Sequence, residues 1–266
     1  MRDNDGTHPR GRRKGLFLMV LLVCAVTGIA LAANIWKAHA PIRGVRVEGN
    51  HIVSGAEIRS LARVDSTQDL YAIDLFAVEQ RVRQNPFVRS ASVRRDVTDG
   101  IVIGVVERVP IAGLIADRLY FLDADGVVLP ASRSDRMYDL PVITGADATG
   151  LTPGKILTTP LVREALAIIT TARRVGDDLF RRIAEVHVDG AHDIILTTSE
   201  FGVPVVFGHG NVASKLVRLD GFWNDVVLRT GAHALQYVDL RYDDQVVVRW
   251  KYDVAAEQDA PHAPAS

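Results

Sequence analysis

The sequence predicts an α+β protein in three parts: a single N-terminal transmembrane helix, a compact unit of two helices on a three-stranded sheet, and a C-terminal β domain with an antiparallel sheet and two helices. Three observations predict it. Leu16 to Trp36 carries no charged side chain. Between residues 42 and 110, two capped amphipathic stretches are framed by strand-like runs. Beyond residue 111 short apolar runs with turn signals dominate, interrupted by two longer helical patterns. The expected divisions are a tail at 1–15, a span at 16–36, domains at 42–110 and 111–254, and a disordered tail at 255–266.

The span comes first. At ~1.5 Å rise per residue, about 21 helical residues cover ~30 Å, the thickness of a bilayer's hydrocarbon core. Arg10, Arg12, Arg13 and Lys14 sit directly before it, whereas Lys37, Arg43 and Arg46 are spread out after it. The positive-inside rule therefore places residues 1–15 in the cytoplasm and everything after Trp36 outside it. Trp36 with Lys37 fits an interfacial anchor. A cleaved signal peptide is the competing reading, because Ala30-Leu31-Ala32 and Ala38-His39-Ala40 have small-x-small spacing. The run is longer than a signal's apolar core, and Pro41 follows the second site. Both readings export the remainder. The one cysteine, Cys24, lies inside the apolar run, so the exported part forms no disulfide. With 31 basic and 32 acidic residues, the chain makes no electrostatic case for nucleic acid.

Ile42 to Val47 alternates as a strand, ended by Gly49-Asn50. Ser54 and Glu57 form a capping box, with Val53 and Ile58 as its hydrophobic staple, for a helix running to about Ala62. Asp74 caps a second helix with Leu75, Val78 and Val82 on its apolar face, and Asn85-Pro86 stops it. Phe87, Ala91 and Val93 then alternate as a strand, Asp99-Gly100 is a hairpin turn, and Ile101 to Val106 returns. That return strand is apolar on both faces and should be central.

Strands are expected at 111–115, 119–122 and 127–129, with Asp123-Ala124-Asp125-Gly126 as a turn. Thr159-Pro160 opens a helix that Gly176 closes, with Leu161, Ala165, Ile168 and Ala172 buried. Further strands fall at 183–188, 194–198 and 203–207, with turns at Asp189-Gly190 and at Glu200-Phe201-Gly202. A helix from Asn211 to about Gly231 carries the stripe Leu216, Leu219, Trp223 and Val226. The last element is a hairpin: Tyr237 to Tyr242, a turn at Asp243-Asp244, and Gln245 to Trp250.

The chain offers little catalytic chemistry. Asp123, Asp125 and Gly126 look like the opening of a calcium loop, but Val128 and Ser134 stand where that loop needs its Gly and its bidentate Glu. His187, Asp189, His192 and Asp193 surround a Gly turn without a further convincing zinc ligand. Gly208-His209-Gly210 before a helix is a weak phosphate-loop pattern that reads better as a turn. No Ser has the G-x-S-x-G elbow. No enzyme activity, cofactor or metal is expected.

Residues 42–64, with Val45-Arg46-Val47-Glu48-Gly49-Asn50, and 85–114, with Pro86 and Val105-Val106-Glu107-Arg108-Val109-Pro110-Ile111-Ala112, resemble a POTRA domain. One POTRA domain behind a single span, with the closing residues Tyr237 to Trp250, resembles the FtsQ/DivIB family of bacterial cell-division proteins. The resemblance implies a non-catalytic bitopic scaffold of the division septum in the bacterial inner membrane, its bulk periplasmic. It implies binding of an FtsB and FtsL pair by the C-terminal domain, and a role for an FtsK-like recruiter at the POTRA domain. Matched to the family, Arg241, Tyr242 and Trp250 fall on partner-contacting positions. With them on the closing hairpin stand Gln245, Val247 and Arg249. Val93 and Arg95 match positions linked to recruitment. Each has a plainer reading: Trp250 as core, Tyr242 as a turn brace, Arg241 and Arg95 as solvated arginines, Val93 as an ordinary strand residue. The turn departs from the family, since Asp243-Asp244-Gln245 lacks its small residues. A POTRA accessory protein of outer-membrane assembly or secretion is the other reading, but the remainder is too short for a membrane barrel.

Overall fold

The computed structural model describes residues 10–37, 42–97, 100–131, 138–148, 150–188, 190 and 193–251, with the backbone alone for 10–15 and 34–37. Residues 1–9 of the expected N-terminal tail, the expected tail at 255–266, the side chains of Trp36 and Lys37, and turn residues Asp99 and Asp189 lie outside the described residues.

Helix α1 runs from Arg10 to Lys37. Its segment Leu16–Ala33 is long and apolar enough to cross a membrane, and none of it is buried by protein. Leu, Phe, Met and Val side chains are exposed all round it. So much uncovered apolar surface is at home in lipid. Inside the run, the Thr27 hydroxyl donates to the Val23 carbonyl at 2.7 Å, so that polar group is satisfied within the helix.

The described residues divide into two compact units. One takes those up to Arg83 with Ser90–Val106, and the other takes Gln84–Arg89 with those from Glu107 on.

In the first unit β1 is Val45–Glu48, α2 Gly55–Ala62, α3 Leu75–Val82, β2 Val88–Arg95 and β3 Ile101–Glu107. The caps act as their residue types dictate. Ser54 Oγ accepts from Glu57 N at 3.2 Å, and Asp74 Oδ1 accepts from Ala77 N at 3.0 Å. Val53 and Ile58 are both buried, as a staple requires. After α3, Asn85 Oδ1 accepts from Phe87 N at 2.9 Å and turns the chain into β2. The sheet order is β1-β3-β2, so the doubly apolar β3 is the central strand. β1 begins at Val45, later than Ile42, because its parallel ladder starts opposite the first residue of β3, Val45 facing Ile101.

The second unit begins with β4 (Pro110–Ile115), β5 (Leu119–Asp123), β6 (Val128–Pro130) and β7 (Val142–Thr144). Helices α4 (Pro160–Val175) and α5 (Asp177–Arg182) lead to β8 (Ile183–His187), β9 (Ile195–Thr198) and β10 (Pro204–Val206). Helix α6 (Val212–Phe222) then precedes β11 (Leu235–Asp239) and β12 (Val247–Trp250). The nine strands form one sheet, ordered β12-β11-β10-β9-β8-β7-β4-β5-β6.

The α+β class holds, but the sheet is mixed where an antiparallel one was expected. β4 with β7, β7 with β8, and β10 with β11 run parallel. The physical reason is the crossovers that parallel neighbours need. α4 and α5 carry the chain from β7 to β8, α6 carries it from β10 to β11, and the strands β5 and β6 intervene between β4 and β7. Beyond β6, the loop at 154–157 covers the edge: Val128 N donates to Lys155 O at 2.9 Å, and Gly154 N donates to Val128 O at 2.8 Å.

One continuous core joins the sheet to α4 and α6. Ala165, Ile168 and Ala172 are buried as expected, while Leu161 is only partly covered. Val226, expected inside, is exposed, and Val227 is buried in its place. A π segment, Trp223–Val227, continues α6 and causes the change. One extra residue in the turn advances the buried stripe by one position.

Candidate functional site

β12 ends the nine-stranded sheet and is hydrogen-bonded to β11 alone among the described strands. Its register sets Val247 against Asp239, Val248 against Val238 and Arg249 against Tyr237. Val246, Val248 and Trp250 pack against the core, while Gln245 and Arg249 are exposed. Lys251 N donates to Ala234 O at 2.7 Å, so that amide faces β11. Strand alternation then turns the amides of Arg249 and Val247 toward β11 as well. The N–H and C=O of Val248 and Trp250 face the open side. Among the described residues this is an unpaired row of backbone donors and acceptors, on a strand whose side chains are anchored from one face.

The turn before β12 is braced from α6. Arg218 Nη1 donates to Tyr242 O at 2.8 Å and to Gln245 O at 3.0 Å. Asp244 takes φ 58°, a left-handed conformation that Asp tolerates, so the turn closes without small residues. Gln245 was expected in the strand but lies before it. Pairing stops at Asp239, whose carboxylate folds back onto Arg241.

Arg241 is held firmly. Its Nε donates to Asp239 Oδ1 at 3.0 Å, its Nη2 to Asp239 Oδ2 at 2.6 Å, and its Nη1 to Asp193 Oδ2 at 2.9 Å. Gly208, at φ +66°, lies under it, and a Cβ there would come within 2.9 Å of Arg241 Cγ. The Arg241 guanidinium holds the buried Asp239 carboxyl below its usual range, and the two carboxylates push the guanidinium's own pKa up. Tyr242 is half exposed. Of the candidate residues on this hairpin, Tyr242, Gln245 and Arg249 are solvent-facing, Trp250 is anchored in the core, and Arg241 is a local brace. Arg218, Asp193 and Asp239 were not foreseen as brace partners. Arg218 and Asp193 lie outside the hairpin, and nothing in their spacing links them to it; Asp239 lies on the hairpin two residues before Arg241, within local reach.

Because Asp239 is depressed in the folded state, its contribution is complete above the unfolded carboxylate value of about 4 and is lost as pH falls through the folded value. Asp239→Asn should therefore lower the thermal midpoint most at pH 7, and by progressively less as pH falls below about 4. An equal drop at pH 7 and well below about pH 4 would refute the charge-based account.

The second candidate pair belongs to the other unit. On β2, Val93 is half-buried. The Arg95 guanidinium donates to the carbonyls of Leu70, Ile73 and Tyr71 at 2.9, 3.1 and 3.3 Å, and it lies 5.8 Å from the centre of the Tyr71 ring. Arg95 thus ties the 70–73 loop to the sheet.

Comparison with known proteins bears on this geometry. Residues 40–108 match the family described as POTRA domain, FtsQ-type, and residues 114–241 match that described as cell division protein FtsQ/DivIB, C-terminal. The chain is 30% identical to the cell division protein FtsQ of Syntrophotalea carbinolica over 88% of this chain and 81% of that one. It is 32% identical to that of Salinibacter ruber over 86% and 90%, and 33% identical to that of Rhodothermus marinus over 87% and 86%. The chain belongs to the FtsQ/DivIB family. The FtsQ/DivIB C-terminal match ends at Arg241, the residue that begins the turn into β12.

The remaining chemical candidates have structural roles in this FtsQ/DivIB chain. Asp123 Oδ1 accepts from Asp125 N at 3.0 Å and Val127 N at 2.8 Å, and its Oδ2 pairs with Arg108 at 2.6 Å. That is a braced hairpin turn, with both Asp123 carboxylate oxygens engaged. At the Gly208-His209-Gly210 turn, Glu164 occupies the anion position. It accepts from Gly210 N at 3.0 Å and contacts His209 Nδ1 at 2.9 Å. Burial pushes Glu164 up, but the Gly210 amide and His209 outweigh it and hold the carboxyl below its usual range. Of the four residues weighed for zinc, Asp189 and His192 lie outside the described residues, and Asp193 is paired with Arg241.

Proposed function

We propose that the chain is a non-catalytic, single-pass scaffold of the bacterial divisome, with residues 1–15 cytoplasmic and the bulk periplasmic at the septum. In this reading the POTRA domain occupies 42–110 and the C-terminal β domain 111–254. The C-terminal domain binds an FtsB and FtsL pair by accepting a partner segment as a further strand on β12. The observation that carries this is the open side of β12 at the end of the sheet. Main-chain hydrogen bonds would supply affinity there, and Tyr242, Gln245, Val247 and Arg249 would supply selectivity. Trp250 acts by fixing the strand against the core, and Arg241 by fixing the turn. The POTRA domain serves recruitment through an FtsK-like partner, with Val93 and Arg95 on the strand concerned.

Photo-crosslinking in dividing cells tests the proposal. A probe at Val247 or Arg249 should capture the FtsB-like protein, whereas a probe at Val246, on the packed face, should not. Equal capture from both faces, or none from either, would remove β12 as the binding edge.

A further inference from the structure

The first unit carries an arginine-lined depression that the divisome reading does not use. Arg43 and Arg46 come from the chain around β1, and Arg59 and Arg63 come from α2 and its C-terminal cap. All four are exposed. They line two adjoining hollows of about 630 and 460 Å³ that share Arg43, Gly44, Val45 and Arg59. Arg63 stands at φ 49°, so α2 ends there and the chain turns along the rim. Asp65 and Asp96 also line the hollows. Each has a carboxylate oxygen engaged by a nearby backbone amide, Asp65 with Thr67 N and Asp96 with Val97 N, both at 2.9 Å. Four guanidinium groups against two carboxylates leave a net positive charge.

The tether decides what such a surface meets. Lys37 ends α1, and only four residues separate it from Ile42. At no more than about 3.5 Å per residue, Arg43 stays within about 21 Å of the end of the span. Planar guanidinium groups suit phosphate oxygens, which they bind bidentately. We propose that this depression is a docking surface for the anionic phospholipid headgroups of the membrane that holds the chain. The inference rests on α1 being a membrane span. Docking fixes the first unit against the bilayer through a second contact besides the tether, and the lipid composition sets how firmly.

The test uses the full chain in nanodiscs, with a spin label at position 66 introduced by Ser66→Cys in a Cys24→Ser background. Ser66 lines the depression and is exposed. In discs with about 30% phosphatidylglycerol, collisions with a nickel-chelating lipid should broaden the label's spectrum; in purely zwitterionic discs they should not. Each basic side chain near an anionic surface contributes roughly fivefold, so Arg46→Ser with Arg59→Ser should lower the docked-to-undocked ratio about 25-fold. Arg46→Lys with Arg59→Lys should retain most of it. About 0.5 M salt should reverse the docking. The same spectrum in both kinds of disc, or in the serine and parent chains, would overturn the proposal; that result would point the depression toward an acidic protein. Insertion is read separately, from protection of the native Cys24 against an aqueous maleimide. Full reactivity there would refute the span itself.

Discussion

Val248→Pro should abolish copurification of the FtsB-like partner while leaving the C-terminal domain folded. The amide of Val248 faces the open side of β12, so proline removes no hydrogen bond to β11, and edge strands accept proline at such positions. The lost side-chain packing should cost the domain about 1 kcal/mol. An incoming strand loses a donor and meets the pyrrolidine ring, which should weaken it by about 2–3 kcal/mol, roughly a hundredfold in affinity. Arg249→Pro is the matched opposite, because its amide faces β11. That variant should detach the edge and lower the thermal midpoint markedly. Binding assays on purified full-length chains, read beside their melting curves, check both. Undiminished binding by Val248→Pro would mean that the partner does not add as a strand.

Trp223→Ala should be among the most destabilising single changes in the second unit, at about 3–5 kcal/mol. Trp223 is fully buried at the start of the π segment, and the Arg182 guanidinium lies 5.1 Å from its ring centre. Its indole N–H is buried without a partner among the described residues. Trp223→Phe should therefore be much milder, because it keeps most of the apolar area and removes an orphaned donor. Urea unfolding followed by circular dichroism separates the two. A cost below about 1 kcal/mol for the alanine variant would show that the pocket collapses freely. Arg218, which braces the turn before β12, sits on the helix that Trp223 continues, so on the proposed reading the alanine variant should weaken partner binding as well.

The parts of this architecture legible in the sequence are those governed by local rules. The Ser54 and Asp74 caps, the charge-free span, the central β3 and the braced Asp123 turn all depend on residues a few positions apart. What escaped depends on long-range partners. β7 is three residues long, too short to show a period. The parallel pairings follow from where the long crossovers return the chain, helical for β7 with β8 and β10 with β11, and through β5 and β6 for β4 with β7. The shift from Val226 to Val227 comes from a π segment that no helical periodicity announces. At the candidate site, the inward and outward faces of Val246 to Trp250 were readable by alternation. The bonds of Arg95 and the Arg241 bond to Asp193 were not, because those acceptors lie far off in the sequence; both arginines resemble surface charges in sequence and are tied down in structure.

The loop over β6 bears on stoichiometry. Eight steps of about 4.8 Å separate β6 from β12, so the sheet's two ends lie roughly 38 Å apart. At the far end, Lys155 and Gly154 already occupy the backbone of Val128, and Pro130 offers no amide at all. The sheet can thus grow at one end only. A segment added to β12 makes a one-to-one complex, and a second copy of this chain finds no complementary end on which to continue a fibre.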